Sequence, residues 1–188
     1  MVFKKRLVGN KFGSWLSDAC HCRKEGKPSG AGGFLPVGPG YYWYEEFADD
    51  VAEHLIIPHL ECYAVLMNAA LFGRVKGMEG HHIFDDCDNE GVTFALNGGS
   101  NDPVLYELCL KRAAILAVNN MDATARHFPG WANGMTDDLS RGRIAEFRAR
   151  ALKHKFQSPI LLQPDKELQI LLKSLALMVR DHKAVSPA

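Results

Sequence analysis

The chain has 188 residues, 47% of them apolar, enough for one sizeable core with an appendage. Its 22 basic and 22 acidic residues cancel, which removes any global electrostatic argument for a nucleic-acid partner. No apolar run is long enough to cross a membrane, and the start, MVFKKRLVGN, lacks a signal-peptide core. The five cysteines are an odd number with only Cys20 and Cys22 close together, so a reduced, intracellular protein is expected, cytoplasmic or nuclear and not secreted.

Residues 13–20 (GSWLSDAC) read as a short strand ending at an acidic residue. A soft stretch, residues 23–33, is rich in Gly, Lys and Ser and reads as a hairpin turn running into a glycine-containing strand. The aromatic run at residues 41–44 supplies a third strand, completing an antiparallel meander. From Leu60 to Leu71 the apolar residues recur at helical spacing, with Pro58 in the first turn. Residues 82–84 form a strand opening onto Asp85, Asp86, Cys87, Asp88 and Asn89. A short helix over 90–96 stops at Asn97-Gly98-Gly99, and a longer one runs from Asp102-Pro103 to about residue 120, with Leu105, Leu108, Ala113 and Leu116 facing inward. Residues 123–128 make the fifth strand and residues 136–154 a single helix. After Pro164 a last helix, residues 165–182, carries a stripe of Leu168, Leu171, Leu172, Leu175 and Met178. The order predicts a mixed α/β fold, divided into a domain over 1–154 and a C-terminal extension over 155–188.

Four carboxylates stand where element ends can gather them: Asp18, Glu61 in a first helical turn, Asp88, and Asp137. In one pocket they repel unless neutralised, and oxygen-preferring divalent cations neutralise such a set. Two ions about 3.5–4 Å apart suit in-line phosphodiester hydrolysis.

These residues sit in recognisable surroundings. SDA at 17–19 precedes the glycine-rich GAGGF; LECYAVLMNAALFG carries Glu61 as its second residue; CDNEGV contains Asp88; and RHFPGWANGMTDDLSR sets His127 ten residues before Asp137, with Pro129, Gly130 and Asn133 between. In this order, over residues 14–143, they resemble the ribonuclease H domain of retroelement (gypsy-like or DIRS-like) reverse transcriptases. The resemblance implies a ribonuclease H-like fold with a five-stranded mixed sheet, a three-strand meander plus two strands, flanked by helices. It implies hydrolysis of the RNA strand of RNA–DNA hybrids with two Mg²⁺ ions, Mn²⁺ substituting, held by Asp18, Glu61, Asp88 and Asp137. His127 takes the place of the family's histidine, assigned to proton transfer or product release. Asn89, Asn133, Arg126 and Arg141 are candidate substrate contacts, with Lys111 and Arg112 as further phosphate contacts. No small-molecule cofactor and no membrane are implied, and an attached or separate polymerase domain is a possible partner. Thr136 replaces the family's alanine, and Asp138 competes with Asp137 for the last position.

Residues 96–103 (LNGGSNDP) lack the basic loop that some family members use to grip the hybrid, so binding should be weak and salt-sensitive. Asn133 also reads as a helix cap. Cys20-His21-Cys22, His81, His82 and Cys87 raise zinc, but one C-x-C without a second pair is poor evidence. Phe47-Ala48-Asp49-Asp50 mimics a polymerase turn by chance, ahead of a helix start. The alternatives are a DNA nuclease or junction resolvase of the same fold, or a catalytically silent domesticated domain that binds partners, with residues 168–178 as the candidate surface.

Overall fold

The computed structural model describes residues 14–22, 27–130 and 133–185. The start expected for the first strand at Gly13, the N-terminal segment before it and turn residues 23–26 lie outside them. Strands β1 (Trp15–Cys20), β2 (Gly30–Leu35) and β3 (Tyr41–Glu46) form the expected antiparallel meander. Strands β4 (His82–Cys87) and β5 (Asp122–His127) join it in parallel on the β1 side. A sixth strand, β6 (Ile160–Leu161), corrects the five-stranded expectation by pairing in parallel with the far edge, giving the order β5-β4-β1-β2-β3-β6. With only two residues, it has no alternation for a sequence to display.

Helices α1 (Asp49–His54), α2 (Ile57–Phe72), α3 (Glu90–Gly98) and α4 (Pro103–Val118) follow the meander, interrupted by β4. Every residue of α2 from His59 to Phe72 is buried, as expected of the central helix in a layered core. Its Asn68 is satisfied inside that core, accepting from Trp43 Nε1 at 2.7 Å and donating to Leu16 O at 3.0 Å. On α4 the buried stripe is Val104, Leu108, Arg112 and Leu116; Ala113, expected inward, is exposed.

The helix expected over 136–154 is two helices, α5 (Gly134–Ser140) and α6 (Ile144–Lys153). Gly142 takes φ +68° at the break, a left-handed stop that glycine adopts without penalty. Both pack on the sheet face opposite α2, around Phe34, Tyr42, Leu139, Phe147 and Ala151. Alternation along β1 therefore sends Trp15 and Ala19 to the α2 side and Leu16 and Asp18 to the α5 side.

Helix α7 (Lys166–Val185) buries Leu168, Leu172, Leu175 and Ala176 in the main core. The leucine stripe weighed as a partner surface is thus core packing. Among the described residues no helix is long and apolar enough to cross a membrane.

Candidate active site

Strands β1, β4 and β5 run parallel, so their carboxyl ends share one edge, where open α/β sheets place sites. Asp18 lies inside β1, two residues before its end, rather than at its terminus. Glu61 falls in the second turn of α2, because the helix starts at Ile57 and its first turn holds no acid. Asp88 is one residue past β4, and Asp137 sits in the first turn of α5. All four line one cleft of about 350 Å³, with Ile57, Gly130, Arg141 and residues 19–22.

Burial dominates the electrostatics. It pushes Asp18 up to about 7, with Asp88 and Asp137 adding repulsion against the hydrogen bond from Ser140 Oγ and the charge of Arg141. Glu61 rises to about 8, again through burial and then the Asp88 charge, which outweigh a hydrogen bond from Asn89. Asp88 is also raised by burial, opposed by its own backbone N–H and by His127. Asp137 goes the other way: burial would raise it, but hydrogen bonds from Arg141 and Arg143 hold it below the ordinary range.

Two oxygens on the Glu61 side stand without partners. Glu61 Oε2 and Asp88 Oδ1 are buried with no hydrogen-bond partner. One ligand atom each from Glu61, Asp88 and Cys87 lies within 4.8 Å of the others, the one such three-residue group among the described residues. Burial pushes the Cys87 thiol well up, and beside it Glu61 and Asp88 offer a set of carboxylate oxygens. That set fits a hard divalent ion.

The chain is similar to a solved structure, the RNase H1 of the halophilic archaeon Halobacterium salinarum NRC-1, with 20% identity and a TM-score of 0.53 over 71% of this chain and 97% of that one. It has the ribonuclease H fold. No protein-family model matches the sequence, and no curated protein does.

Within this fold the remaining candidates fall into two groups. Near the cleft, Asn89 caps α3 by accepting from Val92 N at 3.1 Å while its amide faces Glu61. His127 ends β5, exposed, with its charge felt at Asp88. Arg141 lines the cleft and binds Asp137, Nε to Oδ1 at 2.6 Å. Asp138, the competing acid, is itself buried and is held by Arg143 and Arg150, both of which reach solvent.

The other candidates are spent on structure. Asn133, 2% exposed, donates to Ser17 O at 2.8 Å and accepts from Thr136 Oγ1, tying α5 to β1 without a side-chain cap. Arg126 is on the sheet face opposite His127, held by Asp86 at 2.9 and 3.0 Å, bonded to Ser14 and stacked 4.1 Å from the centre of the Phe84 ring. Arg112, expected on phosphate, is 4% exposed and paired with buried Asp85; Lys111 is exposed. Among the described residues Cys20, His21, Cys22, His81 and His82 belong to no metal-sized ligand group: Cys20 donates to Ser140 O, His21 reaches Ala52 O, and Cys22 contacts Arg141. Asp49 and Asp50 simply open α1.

Three contributors escaped the sequence reading. Ser140 lies inside the D-x-L-S-R motif and so carried a signal; Arg143 lies beyond it and carried none. Gly130 backs Asp88, where a Cβ would come within 2.9 Å of Oδ2.

Proposed function

We propose that the protein is a metal-dependent endonuclease that hydrolyses the RNA strand of RNA–DNA hybrids. The observation that carries this reading is the convergence of Asp18, Glu61, Asp88 and Asp137 on one cleft, with unpartnered buried oxygens on Glu61 and Asp88. Mg²⁺ at these carboxylates, with Mn²⁺ substituting and up to two ions engaged, supplies the Lewis acidity for in-line attack of water at phosphorus. Ser140 fixes the rotamer of Asp18, and Asn89 orients Glu61. His127, exposed at the end of β5 beside Cys87, would pass a proton to the departing 3′ oxygen. Arg141 offers its guanidinium to phosphate from the cleft wall. Selection of RNA then rests on 2′-hydroxyl contacts.

The neutral total charge is unevenly spread. Residues 141–155 hold Arg141, Arg143, Arg148, Arg150, Lys153 and Lys155 against Glu146 alone. Arg148, Lys153 and Lys155 are exposed, which supports a salt-sensitive grip on a phosphate backbone. The H-x-P-G-x-x-N-x-x-x-D-x-L-S-R ending supports a retroelement reverse-transcriptase origin and, with it, a polymerase partner.

The test is cleavage of a labelled RNA–DNA hybrid with Mg²⁺ or Mn²⁺ at low salt, beside Asp88→Asn and beside duplex DNA and a four-way junction. Metal-dependent RNA cutting that is lost in the variant is the expected result. Cutting of DNA-only substrates instead would reassign it as a nuclease or resolvase of the same fold, and no cutting of any substrate would overturn the enzyme reading.

A further inference from the structure

The two ends of the carboxylate cleft are neutralised by different means. At one end, Glu61 is 7% exposed and leaves Oε2 without a donor, as Asp88 leaves Oδ1. At the other, both oxygens of Asp137 are taken: Oδ1 by Arg141 Nε at 2.6 Å and Oδ2 by Arg143 Nη2 at 2.5 Å. The same Arg143 Nη2 also reaches Asp138 Oδ1 at 2.9 Å, and Arg150 Nε holds Asp138 Oδ2 at 2.9 Å, so Arg143 is anchored from behind. Among the described residues Arg141 has no second carboxylate behind it; its Nη1 reaches the Cys22 sulfur at 3.4 Å, and its side chain is 38% exposed in the cleft wall.

We propose that Arg141 and Arg143 take the place of a second cation at Asp137, so that the free protein accepts one divalent ion, on the Glu61–Asp88 side. This rests on the metal-dependent reading above and refines it. Each oxygen of Asp137 already accepts one hydrogen bond from a guanidinium, so an arriving cation meets repulsion from Arg141, and from Arg143 as far as Asp138 leaves its charge unspent, and finds fewer free lone pairs. At the Glu61–Asp88 end a cation meets buried, under-bonded oxygens. Arg143 is a positioning residue that acts through Asp137, and Arg141 acts the same way until substrate draws its guanidinium to phosphate. Arg141 is the movable member, and its departure opens Asp137 to a second ion.

The test is a Mn²⁺ titration of the metal-free protein, with free Mn²⁺ read by electron paramagnetic resonance. Wild type should bind one ion per chain, and Arg141→Gln should bind two. Arg143→Gln added to Arg141→Gln serves as a second variant, its folding checked by circular dichroism because Arg143 also holds Asp138. Two ions in wild type, or one in wild type and in both folded variants, overturns the assignment. Hybrid cleavage by the same wild-type sample separates the two failures. Cutting with two ions bound sinks only the role of the arginines, whereas no bound ion and no cutting sinks the metal-dependent reading with it.

Discussion

Gly32 on β2 lies directly under Leu139 on α5. A Cβ at Gly32 would collide with the Leu139 side chain and come within 3.2 Å of Ser140 N. The glycine-rich strand is therefore the seat of the helix that carries Asp137 and Ser140. Gly32→Ala should cost about 1–3 kcal/mol by overpacking and also weaken cation binding, since lifting α5 takes the Ser140 hydroxyl from Asp18, which lines the cleft with Glu61 and Asp88. Denaturant unfolding and a Mn²⁺ titration read the two effects; a stability loss with unchanged cation affinity would break the link.

Arg112 and Asp85 form an ion pair closed off from water, with Arg112 Nε 3.0 Å from Asp85 Oδ2. Burial raises Asp85, and the guanidinium counters it. Removing one partner strands the other, so Arg112→Met should destabilise by about 3–5 kcal/mol. Arg112→Met combined with Asp85→Leu should recover most of that loss. Urea unfolding of the two single variants and the double forms the cycle, and an additive double variant would deny the coupling.

Asp18 and Glu61 give a pH signature. Unfolded, they release their protons near 3.8 and 4.5; folded and metal-free, they keep them to about 7 and about 8. The folded state thus binds more protons across that window, and unfolding free energy falls as pH rises through it. Their contribution is fully present below the unfolded values and wholly lost above about 8. Asp137, shifted down, acts below 3.8, outside the window. Because a cation binds the ionised carboxylates, the rise in Tm on adding Mg²⁺ should grow with pH over the same range. Melting curves in EDTA and in Mg²⁺ from about pH 5 to about pH 9 check both slopes.

Asp88→Asn should move stability in opposite directions with and without metal. Asp88 is the largest source of repulsion at Glu61 after burial and also acts on Asp18. Its neutralisation should raise the Tm of the metal-free protein by a few degrees while abolishing most of the stabilisation by Mg²⁺. A variant less stable than wild type in EDTA would mean that the cluster is not under electrostatic strain.

The sequence by itself determined the four acids and the order of elements that bring them together. Each acid sits in a short local signature: SDA before a glycine strand, LECYA just after the Pro58 that starts a helix, CDN at a strand end, and H-x-P-G-x-x-N-x-x-x-D-x-L-S-R. The signatures are legible because spacing and residue type are local properties of the chain. The break at Gly142 was legible in principle, as a glycine between helical runs, but the continuing helical pattern concealed it.

The charge balance inside the site was decided only by the tertiary structure. Ser140 meets Asp18 across 122 positions, and Arg126 meets Asp86 across 40. Arg112, basic and in a plausible helix for phosphate contact, turns inward because Asp85, 27 positions away, is buried opposite it. A side chain's charge is written in the sequence, whereas its partner and its exposure to water are set by packing. Burial and pairing are what raise Asp18 and Glu61 and lower Asp137 within one cleft.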